Sequence, residues 1–280
     1  MLDHVTHHVP TAVMSARHNV VSTGDPDGPV LLFAHGFGCD QDMWRHLVPA
    51  FTHDHRVVLF DHIGAGRSDS SGYDPVRYAG LDGYADDILG ICAELDLTDV
   101  TLVAHSVSAM MAVIAAVAQP ERFRQLVLVA PSPYMLMDPV SGYDGGFSAE
   151  DLADVMSTLD SNYFTWAEAM APVIMGVPDA PELDEQLTAS FCRTDPDIAG
   201  QLIRTIFSTD CRPLLPRVRT PALVLQCRDD AMAPLGVGDH LHEHLAGSTL
   251  VRLEATGHCP HMSAPQETAA AIRRHLRTSP

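Results

Sequence analysis

The stretch Val100-Thr101-Leu102-Val103-Ala104-His105-Ser106-Val107-Ser108-Ala109-Met110 decides how the rest of this chain is read. Its first five residues are β-branched or apolar and read as a buried strand. Met110 to Val117 is apolar and alanine-rich, the composition of a buried helix. Between the two stands a serine that must occupy a tight turn. A nucleophile at such a strand-to-helix turn exposes its hydroxyl and has backbone donors beside it, provided its neighbours are small. The usual frame is Gly-x-Ser-x-Gly. Here Ala104 and Ser108 fill the glycine positions, which leaves an ordinary strand-to-helix turn as the alternative.

Outward from this point the same alternation repeats. Val30 to Ala34, Arg56 to Phe60 and Gln125 to Ala130 are short, apolar strand-like runs, and Asp86 to Leu95 places its apolar residues at helical intervals. The order β-α-β-α-β with near-continuous apolar strands implies a largely parallel sheet covered on both faces, with ligands at the C-terminal ends of its strands. After Pro131-Ser132-Pro133 about 75 residues lack strand signals. Ser148-Ala149-Glu150-Asp151 there has the pattern of a helix N-terminus, and several short helices are expected. Strand character resumes at Ala222 to Gln226 and Thr249 to Leu253, and a helix near Glu267 to Leu276 closes the chain. The predicted organisation is a core over residues 1–131 and 210–280, interrupted by a helical insertion over 132–209.

A serine hydroxyl needs a base, and the base needs a third group to hold its tautomer. Asp230, at the end of one late strand, and His258, in the loop after the next, supply both. Asp229 and His261 compete for the roles. Asp230 is preferred because it stands four residues before Pro234, and His258 because it follows Gly257. His35-Gly36-Phe37-Gly38 follows the first clear strand, where glycines allow close backbone approach, so the N–H groups of Phe37 and Val107 are the candidate oxyanion donors. Asp61-His62-Ile63-Gly64-Ala65-Gly66-Arg67-Ser68 lacks the spacing of a phosphate-binding loop and reads as a tight turn.

Together these features resemble the α/β-hydrolase superfamily, and within it the RsbQ-like group related to the plant karrikin and strigolactone receptor hydrolases. The similar stretches include His35 to Trp44, Tyr78 to Asp86, Gly145-Gly146-Phe147, Ser161 to Trp166, Thr194 to Ala199, Cys227 to Pro234 and Gly257 to Ser263, and they span nearly the whole chain. The resemblance implies an α/β-hydrolase fold: a mostly parallel central sheet flanked by helices, with a four-helix lid inserted between strands over a deep, mostly apolar pocket. It carries the serine, aspartate and histidine onto Ser106, Asp230 and His258. Phe147, Met156, Tyr163, Trp166, Met170, Phe191 and Phe207 are the lid's candidates for packing or for lining that pocket. The resemblance favours Phe147, Trp166, Phe191 and Phe207, with His105 beside the nucleophile.

Composition narrows the function. The 280 residues carry 36 Asp and Glu against 17 Lys and Arg, a net charge of −19, which argues against a nucleic-acid partner. No run approaches the ~20 apolar residues needed to cross a membrane. Six scattered cysteines and a start, Met1 to His8, with neither a basic nor an apolar run point to the cytoplasm. His240-Leu241-His242-Glu243-His244 and His258-Cys259-Pro260-His261 raise a metal question. Neither is a His-Glu-x-x-His site, and no metal or cofactor is expected. The first function expected is hydrolysis of a small apolar ester or lactone. The second, carried by the resemblance, is a small-molecule sensor or stress-signalling regulator that binds or slowly hydrolyses its ligand and reports to a regulatory protein through the lid. Serine rather than aspartate at position 106 disfavours dehalogenase or epoxide hydrolase chemistry.

Overall fold

The computed structural model describes residues 13–278; the stretch Met1 to His8, read above for a leader, lies outside them. The strands are β1 (Val21–Gly24), β2 (Val30–Ala34), β3 (Arg56–Leu59), β4 (Val100–His105), β5 (Phe123–Val129), β6 (Ala222–Asp229) and β7 (Ser248–Thr256). They form one sheet in the order β1-β3-β2-β4-β5-β6-β7. The β1–β3 pair is antiparallel and the other pairs are parallel. The helices are α1 (Val13–Arg17), α2 (Asp82–Glu94), α3 (Val107–Ala118), α4 (Ala149–Ser161), α5 (Tyr163–Met175), α6 (Pro181–Phe191), α7 (Pro196–Ser208), α8 (Leu235–His244), α9 (Pro260–Ser263) and α10 (Pro265–Thr278).

Side chains alternate along a strand, and the two faces of this sheet fill two separate cores. Leu32, Ala34, Leu102, Ala104, Leu126 and Leu128 pack with Tyr84 and Ile88 of α2, Ala109 and Val113 of α3, and Leu241 of α8. Leu31, Phe33, Val103, Val127, Val129, Leu223 and Leu225 pack with Trp44, with Met262 and Ile272 near the C-terminus, and with Trp166 and Phe191 of the inserted helices. Both faces of the inner strands β2 to β6 are largely buried, which is why these strands read as apolar runs.

Helices α4 to α7 all fall between β5 and β6. The hydroxyl of Ser148 accepts from the Asp151 N–H at 3.1 Å while the Asp151 carboxylate accepts from the Ser148 N–H at 2.7 Å, so the expected N-terminal motif is a reciprocal capping box. Asn162 caps α5 and Asp195 caps α7 by accepting backbone N–H groups of the first turn, without the return bond, and α5 ends on Gly176 in the left-handed conformation. No helix among the described residues is long and apolar enough to cross a membrane.

The segment expected to be a tight turn is one, with Gly64 and Gly66 both at positive φ. Its centre is the buried Asp61 carboxylate, which accepts from the N–H of Gln41, the side-chain amide of Asn19 and the N–H of Arg67 at 2.8, 2.8 and 2.9 Å. One side chain thus ties three loops at one end of β2 and β3. Asp61→Ala leaves these donors unsatisfied in the interior, and an unmatched buried donor is costly. We expect it to lower the unfolding free energy by about 3 kcal/mol, read from urea denaturation midpoints.

Candidate active site

Ser106 sits between β4 and α3 with φ 56° and ψ −125°, in a region where a residue with a Cβ is strained. The turn is held by its own backbone, since the Ser106 N–H donates to Val129 O at 2.9 Å. The two departures from glycine each have a place. Ala104 is fully buried in register between Ala34 and Leu128, where a methyl fits the core. Ser108, also fully buried, donates its hydroxyl to His35 O and accepts from His62 Nε2 at 2.8 Å. Small side chains are tolerated at both positions, and one of them is used.

His258 Nε2 lies 2.7 Å from Ser106 Oγ, and its Nδ1 lies 2.8 and 3.0 Å from the two carboxylate oxygens of Asp230. An ionised carboxylate only accepts, so Nδ1 carries the proton and Nε2 presents its lone pair to the serine hydroxyl. Asp230 is itself fixed by the N–H groups of Met232 and Ala233 at 2.8 and 3.2 Å. Ser106, His258 and Asp230 therefore form a Ser-His-Asp triad, built from the C-terminal ends of β4, β6 and β7. Asp229 stands outside it, using its carbonyl to accept the Gly257 N–H at 2.7 Å. His261 is fully buried, packs its ring 4.5 Å from those of Trp44 and His105, and takes no part in the triad.

The backbone of His258 is committed too: its N–H donates to Ile174 O at 2.8 Å, and its carbonyl accepts from His105 Nε2 at 2.8 Å. The loop at Gly36 and Phe37 is held comparably. His35 Nε2 accepts from the His62 N–H at 3.0 Å, which leaves Nδ1–H to donate to Gly36 O at 2.8 Å. Gly36 O and the Phe37 N–H belong to one planar trans peptide, so fixing the carbonyl fixes the direction of the N–H opposite. These roles of His35 and His62 were not legible in the sequence. They rest on backbone partners, which no side-chain motif records.

Above the triad lies a cavity of about 100 Å³. Phe37, His105, Ser106, Val107, Phe147, Trp166, Met170, Phe191, Phe207 and His258 are on its wall, and the lining contains no Asp, Glu, Lys or Arg. Phe147 and Phe207 meet edge to face at 5.2 Å, and Trp166 and Phe191 at 5.6 Å. Met156 and Tyr163, also candidates, do not line it. Tyr163 turns aside to donate its hydroxyl to Phe191 O at 3.0 Å, bracing α5 on α6. His105, Cys259 and His261 bring potential metal-ligating atoms within 4.8 Å of one another, all buried. His105 Nε2 is engaged by His258 O, and burial pushes the Cys259 thiol well above its ordinary range, so the cluster is poorly prepared to offer a thiolate. His240 and His244, the other histidine pair, stack at 4.1 Å on α8.

A sequence model of the α/β-hydrolase fold family matches residues 29–265. The chain belongs to this family. This α/β-hydrolase is 39% identical to a strigolactone esterase of Arabidopsis thaliana over 258 residues, 92% of this chain and 94% of the relative. It is also 39% identical to the karrikin insensitive 2 receptor CA of Petunia hybrida over 269 residues, 94% of this chain and 97% of the relative. Among solved structures, a hydrolase from Oleispira antarctica matches it with a TM-score of 0.93 at 36% identity, covering 96% of this chain and 98% of that one. The α/β-hydrolase is thus closely related to the plant receptor-esterases, as the sequence motifs implied.

Several buried imidazoles stand beside this site or farther into the core. Burial first of all lowers the pKa of His18, His35, His62, His105 and His261, the last to about 3, against an ordinary 6.5. More than about one pH unit above 6.5 these groups are essentially unprotonated in the folded and the unfolded chain alike. As the pH falls below 6.5 the unfolded chain takes up protons that the folded chain refuses, so stability declines with falling pH down toward the folded pKa values. The expected slope is at most about 1.4 kcal/mol per pH unit for each such histidine. Urea midpoints measured at pH 8.5, 7.5 and 5.5 should be nearly level between the first two and drop at the third.

Proposed function

We propose that this α/β-hydrolase cleaves a small, largely apolar ester or lactone through an acyl-enzyme on Ser106. The observation that carries the reading is a complete triad opening into a cavity walled by apolar and aromatic side chains with no charged residue among them. Such a wall favours a neutral acyl group and offers no cation to a phosphate or free carboxylate.

In the first half-reaction Ser106 Oγ attacks the carbonyl carbon while His258 Nε2 takes the hydroxyl proton, and Asp230 remains ionised beside the resulting imidazolium. The developing oxyanion is assigned to the N–H groups of Phe37 and Val107. Val107 is the first residue of α3, where an N–H has no intrahelical acceptor, and Phe37 N–H is aimed by the peptide that His35 holds. Collapse breaks the ester C–O bond, and the leaving alkoxide takes the proton from His258. For a lactone the alcohol stays tethered to the acyl group. Water, deprotonated by His258, then hydrolyses the acyl-enzyme. His105, Phe147, Trp166, Phe191 and Phe207 are proposed to hold the substrate, and residues 132–209 to act as a lid on the core formed by 1–131 and 210–280.

The likeness to a receptor supports a second reading, in which the same site binds or slowly cleaves a signal molecule and the lid reports occupancy to a regulatory protein, as in stress signalling. We propose the cytoplasm as the compartment, a reading supported by six free thiols, five of them buried.

A time course of short-chain p-nitrophenyl ester hydrolysis tests the main reading: sustained turnover by the natural chain should be lost in Ser106→Ala, and equal rates in the two would overturn the assigned nucleophile. A single burst followed by near silence would favour the sensor. His35→Ala should lower kcat about 100-fold with KM nearly unchanged, because an oxyanion donor acts mainly in the transition state.

A further inference from the structure

The Thr256-Gly257-His258 loop is docked on the end of one inserted helix. Besides the bond from the His258 N–H to Ile174 O at 2.8 Å, Thr256 Oγ1 donates to Gly176 O at 3.0 Å. The two backbones touch without room for a side chain on either side. A Cβ on Gly257 would stand 1.7 Å from Met175 O, and one on Gly176 would stand 2.7 Å from Gly257 Cα. Both glycines also have positive φ, 79° and 60°, so the close approach and the turn each require glycine. Ile174 is one of the last residues of α5, where carbonyls lack intrahelical partners, and that free carbonyl is the acceptor given to the catalytic histidine.

The same helix walls the cavity. Trp166, Met170 and Ile174 recur every four residues on one face of α5 and all line it. Ile174 therefore presents its side chain to the cavity and its carbonyl to His258.

We propose that the C-terminus of α5, through Ile174 O and the Gly176–Gly257 contact, is a positioning element for His258 that ties the alignment of the triad to the inserted helices. Gly176 and Thr256 are positioning residues: they act on the imidazole through its loop and touch no reacting atom. The inference deepens the hydrolase reading and rests on it for its kinetic readout.

The test pairs kinetics with a signal that needs no turnover, the low-field proton resonance of His258 Nδ1–H bonded to Asp230, assigned by its loss in Asp230→Ala. Thr256→Val removes one of the two hydrogen bonds at nearly constant volume. It should broaden or lose this resonance and lower kcat for p-nitrophenyl butyrate about tenfold with KM within about twofold. Thr256→Ser should restore both. Gly176→Ala, which forces the two backbones apart, should have the larger effect on both. A Thr256→Val protein that keeps the resonance and kcat of the natural chain overturns the proposal, as does failure of Thr256→Ser to restore them. If instead Ser106→Ala hydrolyses the ester as fast as the natural chain, the hydrolase reading falls, and the resonance alone still decides whether α5 positions His258.

Discussion

The imidazole of His258 stands where its own loop meets three other segments, and the rest of the site is arranged to keep it there. Its two ring nitrogens face β6 and the β4–α3 turn, while its backbone N–H and carbonyl reach α5 and the side chain of His105. A histidine fixed at all four polar atoms has little rotational freedom left to lose when it takes a proton from serine. Preorganisation of that kind is what distinguishes a catalytic base from a buried imidazole such as His261, whose ring nitrogens have no partner.

The sheet explains why these segments can meet. Parallel strands all deliver their C-terminal ends to the same edge, and β4, β6 and β7 carry the nucleophile, the acid and the base to it. The insertion between β5 and β6 emerges at that edge as well, so its helices close over the triad and its apolar side chains complete the second core. The largely apolar cavity is a by-product of the same packing.

Much of this was legible because it is written in side chains. Apolar runs marked the five inner strands, Thr249 to Leu253 marked the edge strand β7, Ser148 and Asp151 marked a helix start, and Asp230 and His258 stood at strand ends in the order the chemistry needs. β1 was not legible, since Val21 to Gly24 is exposed along its length and has no apolar pattern to betray it. The start of α2 was placed late, at Asp86 rather than Asp82, because Gly83 interrupts the periodicity there. Helical spacing also listed Met156 and Tyr163 beside Trp166 and Met170. Which of them faces the cavity depends on how α4 and α5 are rotated against α6, and that is settled by contacts far along the chain. The docking of α5 on the histidine loop is carried largely by backbone atoms and leaves only two glycines in the sequence.

Ser108 makes a last point about how such a site can vary. Its hydroxyl is both the acceptor for His62 and the donor to His35, so the residue two places after the nucleophile and one 46 positions earlier are halves of one hydrogen-bonded unit. With glycine at position 108 the imidazole at 62 would face a void with a buried N–H and nothing to receive it. Positions 62 and 108 are therefore energetically coupled: glycine at the turn is accommodated at least cost together with a side chain at 62 that lacks that donor.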